Sequence, residues 1–95
     1  MTRRFQRSEV VTLLGVDESF LLQLEEEEIV VAEPDGYADD ALERIRFART
    51  LVRDLDVNLP GVVVALQLTK RIETERQQFE DLVHKLRAML DSSGT

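Results

Sequence analysis

Carboxylates are the one chemically capable group that this sequence supplies in abundance. Between Ser8 and Glu43 there are twelve: Glu9, Asp17, Glu18, Glu25, Glu26, Glu27, Glu28, Glu33, Asp35, Asp39, Asp40 and Glu43. The same stretch holds no Lys, Arg or His, so a net charge of −7 divides into −12 here and +5 in the remainder. Paired carboxylates act as general acid and base only where burial or a neighbour moves a pKa toward the working pH. A solvated acidic run supplies neither. Asp35, Asp39 and Asp40 cluster without the ligand spacing of a calcium loop. His84 is the single histidine, sits between Val83 and Lys85, and reads as a surface residue. There is no Ser-His-acid set, no Gly-rich phosphate loop and no His pair at metal spacing. The absence of cysteine removes thiol nucleophiles, disulfides and thiolate metal sites together. The expectation is a protein that is not an enzyme, holds no metal and needs no cofactor. What such a charge asymmetry does govern is the choice of partner.

The elements that position these acids follow from local signals. Ser8-Glu-Val-Val-Thr-Leu-Leu14 reads as a short helix with Ser8 as its cap, Val10, Val11, Leu13 and Leu14 as its buried stripe, and Gly15 as its stop. Asp17 caps a second helix over about Glu18–Glu27, with Leu21 and Leu24 sharing the core face and Phe20 beside them. Two helices about a Gly-containing turn make a helix-turn-helix unit. Ile29-Val-Val31 and the segment through Tyr37 flank Glu33-Pro-Asp-Gly36, whose turn chemistry predicts a small hairpin, a wing with Tyr37 packed in it. A third helix begins near Asp39 or Asp40. With Asp40 as cap, Glu43 completes a capping box. Leu42, Ile45, Ala48, Leu51, Val52 and Leu55 form its apolar stripe.

Asn58 caps the last helix and Pro60 stands in its first turn, where no amide donor is needed. Nothing interrupts the helix for about thirty residues, to Leu90. Ala65, Ile72, Phe79 and Leu86 recur every seven residues, and Leu68, Leu82 and Met89 do the same with Glu75 as the one miss. Such a seam suggests a coiled coil between two copies, parallel or antiparallel. Folding back of the helix on its own domain is the plainer explanation, but one small helix-turn-helix is too short to cover it. The division is then residues 1–58 for the winged helix-turn-helix, 59–90 for a dimerising helix and 91–95 for a disordered tail.

With 95 residues and 43% hydrophobic content, one thin core is expected, and chains this short often bury more surface by dimerising. Met1-Thr-Arg-Arg-Phe-Gln-Arg7 is charged with no apolar run behind it, unlike a signal peptide. Val62–Leu66, the longest apolar run, is too short to span a bilayer. A cytoplasmic, membrane-free protein is expected.

Within the second helix, Glu25–Glu28 is the obvious candidate site. A charge run is ordinarily a solvated face, yet acids at a helix C-terminus oppose the macrodipole by about 0.3–1 kcal/mol each. Leu22 is left outside the core face filled by Leu21 and Leu24, ringed by Glu18 and Glu26. A lone exposed leucine is common, but one so placed suits the centre of a contact. Arg44, Arg46, Arg49 and Arg53 decorate the third helix. Solvation or weak pairing with Glu43 and Asp54 accounts for most of them. Arg46, Arg49 and Arg53 are the secondary candidates for partner contact, beside Glu18, Leu22, Glu25 and Glu26.

The order helix-turn-helix, wing, third helix, long last helix resembles the MerR family. The carriers are Val10-Val-x-Leu-Leu-Gly-Val16, Leu21-x-x-Leu24, Ile29-Val30, Gly36-Tyr37 and Leu42-Glu-Arg-Ile-Arg-Phe47. The segment Leu55-Asp-Val-Asn-Leu-Pro-Gly-Val-Val-Val-Ala-Leu-Gln-Leu68 is similar to the chaperone-modulator branch, the CbpM family. That resemblance implies a mainly α, MerR-like winged helix-turn-helix with a small β wing and a long C-terminal helix. It also implies a partner: the J-domain of a DnaJ-like, CbpA-type co-chaperone, whose co-chaperone and DNA-binding activities family members inhibit. The other reading is a MerR or heat-shock-type transcriptional regulator binding DNA as a dimer through Arg3, Arg4, Arg7 and the third-helix arginines. DNA is disfavoured because phosphate contacts need cations, and the outward positions of the second helix hold Glu18, Ser19, Leu22 and Glu26. A coiled-coil adaptor binding through the seam is a third reading.

Overall fold

The computed structural model describes residues 3–93, and the first helix, α1 (Arg7–Leu14), starts two residues earlier than a Ser8 cap would place it. Its cap is Gln6, because Glu9 lies three residues on and its carboxylate accepts the Gln6 N–H at 3.1 Å. Ser8 is inside the helix, where its carbonyl accepts the Thr12 hydroxyl. Val10 and Leu14 are buried, whereas Val11 is intermediate and Leu13 turns to solvent. Only one narrow stripe of so short a helix faces the core. Gly15 ends it in the left-handed region at φ 64°.

Asp17 opens α2 (Glu18–Glu26) as expected, its carboxylate taking the Phe20 N–H at 3.0 Å. Leu21 and Leu24 are fully buried. The helix closes in a Schellman turn: Ile29 N–H returns to the Leu24 carbonyl at 2.9 Å and Glu28 N–H to that of Glu25 at 3.0 Å. The residue forced into the left-handed region there is Glu28, at φ 58°, where glycine is the usual occupant. Leu24 and Ile29, the residues this turn draws together, both lie in the core.

The expected hairpin is not built. No strand occurs among the described residues; there are two isolated antiparallel bridges, Glu33 with Gly36 and Phe5 with Tyr37. Ile29 and Val30 are taken up by the end of α2 and the core, and Pro34 has no N–H to give to a ladder. Tyr37 instead exchanges both backbone bonds with Phe5, at 2.8 and 2.9 Å. The turn demands Gly36: φ is 110°, and a Cβ would lie 2.5 Å from the Phe5 carbonyl oxygen.

α3 (Asp39–Leu55) is entered from Ala38, which has no capping side chain, so the expected Asp40–Glu43 box is absent. Asp40 accepts the Ala41 N–H and pairs with Arg44, while Glu43 pairs with Arg46. Ala41, Leu42, Ile45 and Ala48 carry the buried face; Leu51 and Val52 are intermediate and Leu55 is exposed. α4 (Leu59–Ser93) is capped as expected by Asn58, whose Oδ1 accepts the Gly61 N–H at 2.9 Å. The helix continues past Leu90 through residues assigned to a tail; Gly94 and Thr95 lie outside the described residues.

The chain divides into two compact units, one ending at Val64 and the other beginning at Ala65. The first contains the core: Phe5, Val10, Leu14, Val16, Leu21, Leu24, Ile29, Val30, Tyr37, Ala41, Leu42, Ile45, Ala48 and Val62. The second is helix alone. Its seam residues Leu68, Ile72, Phe79, Leu82, Leu86 and Met89 are exposed and Ala65 is intermediate.

Candidate partner interface

The acidic run at the end of α2 separates into three environments. Glu18, Glu26 and Glu27 are exposed, with Leu22 45% exposed on the same element. Glu28 is exposed in its left-handed turn. Glu25 points inward, with its side chain 19% exposed, and its Oε1 accepts both Arg7 Nη2 at 2.8 Å and the Tyr37 hydroxyl at 2.5 Å. The expectation that Glu25 faces a partner is therefore corrected: it joins α1, α2 and the turn segment.

Helical geometry explains the split. Glu25 follows Leu24 and lies one turn after Leu21, so it borders the buried stripe. The phenol of buried Tyr37 needs a polar partner there. Burial, then the hydrogen bond to Glu25, hold the Tyr37 phenol above the ordinary tyrosine range. Tyr37 in turn, followed by Glu25, raises the already high pKa of Arg7. Sequence reasoning passed over Arg7 as a partner for this acid. The available signal was Tyr37 itself, whose hydroxyl needs a polar partner once it is buried.

The arginines of α3 also divide. Arg49 Nη1 donates to the Leu14 carbonyl, and Arg53 Nη2 to that of Gly15 at 3.0 Å. Both thus serve orphan carbonyls at the C-terminal end of α1, a structural role that a helix-surface pattern does not reveal. Arg44 bonds the Ile29 carbonyl at 3.1 Å. Arg46 alone in this set makes only a solvent-exposed pair, 3.5 Å from Glu43.

The cations nearest the chain start are matched with acids. Arg3 lies 3.2 Å from Glu9 and stacks over the Phe5 ring; Arg4 contacts Glu33 at 2.9 Å and Asp35 at 3.4 Å; Arg7 holds Glu25. Of the groups that a DNA-binding reading would recruit, Arg3, Arg4, Arg7, Arg44 and Arg46 are each paired with an acid within the domain, whereas Arg49 and Arg53 bond backbone carbonyls. His84 is exposed on α4. No group of three or more His, Cys, Asp or Glu residues suited to a metal occurs among the described residues, and no helix there is long and apolar enough to cross a membrane.

The family model for the MerR HTH family regulatory protein matches residues 5–84. The chain belongs to the MerR helix-turn-helix family. It is also similar to the chaperone modulatory protein CbpM of Coxiella burnetii, in strains Dugway 5J108-111 and RSA 331 / Henzerling II. Each is 33% identical over 57 residues, covering 53% of this chain and 54% of the relative. The chain thus spans about half the length of the curated relatives it matches. No solved structure matches. The second helix of this helix-turn-helix carries no Lys or Arg for phosphate contact. Its exposed residues include Glu18, Leu22 and Glu26.

Proposed function

We propose that this MerR-family chain is a CbpM-like chaperone modulator that acts in the cytoplasm as a homodimer. It binds the J-domain of a DnaJ-like, CbpA-type co-chaperone and inhibits both its co-chaperone activity and its binding to DNA. The observation that carries this reading is the cation-free outward face of α2, with Leu22 set among Glu18, Glu26 and Glu27. A J-domain offers a basic helix, and opposite potentials speed and orient such an encounter. Glu28 supports the same reading. A glutamate kept in a left-handed turn stores strain where glycine would relieve it, and such outliers are a ground for suspecting function. Similarity to CbpM supplies the class of partner.

The family also admits a DNA-binding regulator. That reading would rest on Arg3, Arg4, Arg7 and the α3 arginines, and the cation-free, acidic α2 argues against it.

The test is calorimetric titration of a CbpA-type J-domain into wild-type protein and into a triple variant, Glu18→Lys, Leu22→Ala, Glu26→Lys. Glu25 is left intact so that the fold is not the variable. Wild-type binding should weaken with added salt. The variant should lose at least tenfold in affinity with unchanged circular dichroism. An unaltered affinity would remove α2 as the site, and a salt-sensitive gel shift with duplex DNA would favour the regulator.

A further inference from the structure

A groove of about 130 Å³ lies between the start of α2 and the last turns of α3, lined by Val16, Asp17, Phe20, Arg49, Val52 and Arg53. It is separate from the acidic face and has the opposite chemistry. Val16 is buried, and Phe20 and Val52 are partly exposed, so the apolar lining is partly wet. Arg49 and Arg53 each spend one guanidinium nitrogen on a backbone carbonyl, of Leu14 and Gly15 respectively. A guanidinium has five N–H donors in a fixed plane. These anchors fix the orientation of the two side chains without neutralising them. Among the described residues, neither arginine has a carboxylate within ion-pair distance, whereas Arg3, Arg4, Arg7, Arg44 and Arg46 all do.

Asp17 is the one acid in the lining, and its Oδ1 is engaged by the Phe20 N–H and the Ser19 hydroxyl. Two cations against one capped carboxylate leave the groove positive, in a chain whose net charge is −7. Pre-oriented arginines are well suited to bidentate recognition of a carboxylate. The neighbouring Phe20 and Val52 add apolar contact area.

We infer that this groove binds a protein segment presenting an aspartate or glutamate beside an apolar side chain. The carboxylate meets Arg49 and Arg53, and the apolar group covers Phe20 and Val52. This inference goes beyond the J-domain reading and is tested without a J-domain, so either can fail alone. In the wild-type chain the two surfaces would let one protomer engage a partner bearing both a basic helix and an acidic, apolar loop.

The probes are two capped peptides, acetyl-Leu-Asp-Leu-amide and acetyl-Leu-Asn-Leu-amide, titrated at millimolar concentration into the ¹⁵N-labelled full chain. The aspartate peptide should shift the Phe20 amide and the Arg49 and Arg53 Nε–H signals saturably, and bind at least fivefold tighter than the asparagine peptide. Arg53→Gln should abolish that preference while leaving the remaining amide spectrum dispersed. Equal response to the two peptides, or shifts confined to other residues, would overturn the inference. Because Arg53 also caps α1, the wild-type comparison of the two peptides decides the matter even if the variant unfolds.

Discussion

The phenol of Tyr37 donates to Glu25 Oε1 at 2.5 Å, and that one contact changes what the acidic run of α2 can do. Because Arg7 meets the same oxygen at 2.8 Å, Glu25 is the hub of a three-residue network and not part of the outward face. Removing its charge should therefore destabilise the domain. Hydrogen bonds to charged groups contribute about 1.5–3 kcal/mol, so Glu25→Gln should lower unfolding stability by roughly that amount. Glu26→Gln, exposed one residue away, should change it by less than about 0.5 kcal/mol. Urea denaturation of the two variants checks the contrast, and equal stability would put Glu25 back on the surface.

Tyr37 is the single tyrosine of the chain, so phenolate absorbance reports it alone. Its pKa is raised in the fold by burial and by Glu25. A raised folded pKa means that the stabilisation is complete below the unfolded value. It is lost only as pH climbs through the higher, folded one. Stability should hold through neutral pH and fall in the alkaline range, above about pH 10, where an ordinary tyrosine ionises. The phenolate signal of the native protein should appear at higher pH than that of the urea-unfolded chain. Glu25→Gln should move it back down, because a carboxylate that opposes phenolate formation is gone. Coincident native and unfolded titrations would contradict the buried contact.

How far the sequence could be read depends on how far apart the interacting residues lie. Asp17 and Asn58 cap helices within three residues of their own position, and Gly15 breaks α1 on the spot. All three were legible from local chemistry, as were Leu21 and Leu24 from their spacing. Glu25 was not, since its partners lie 18 and 12 residues away. Arg49 and Arg53 reach back 35 and 38 residues to the end of α1, and nothing in a helix-surface pattern distinguishes such a side chain from a solvated one. The hairpin failed for a related reason. Pro34-Asp-Gly36 does form a turn, bridged by Glu33 and Gly36, but Tyr37 pairs with Phe5, which precedes α1 and lies 32 residues away.

Gly61 illustrates how packing reverses a propensity argument. In a helix interior, alanine is favoured over glycine by about 0.8–1.0 kcal/mol, which predicts that Gly61→Ala is tolerated or stabilising. A Cβ at this position would lie 2.6 Å from Val57 Cγ1 and 3.1 Å from the capping Asn58 Oδ1. The β-branched valine has little freedom to withdraw. Overpacking typically costs about 1–3 kcal/mol, so the net effect of Gly61→Ala should be a loss. Adding Val57→Ala should recover part of that loss by opening the space, a coupling that a thermal-unfolding double-mutant cycle reads directly. Independent effects of the two changes would show that no such contact limits the site.

The seam of α4 is the last element whose chemistry asks for a partner. Leu68, Ile72, Phe79, Leu82, Leu86 and Met89 are each about half to two-thirds exposed, with Phe79 at 66% and Leu86 at 49%. Their heptad spacing is that of a two-helix interface. Glu75 occupies the one charged seam slot and pairs with Arg71 at 3.1 Å on its own helix. If a second copy covers this face, the protein should sediment as a dimer at tens of micromolar, and its melting temperature should rise with concentration. Truncating a buried Leu or Phe costs about 2–5 kcal/mol, so Phe79→Asp combined with Leu82→Asp should yield a monomer. Glu75→Leu should act in the opposite sense, since it replaces a desolvated charge with an apolar side chain in the same layer. A wild-type monomer across that concentration range, or a melting temperature unmoved by Glu75→Leu, would mean that another kind of partner covers the seam.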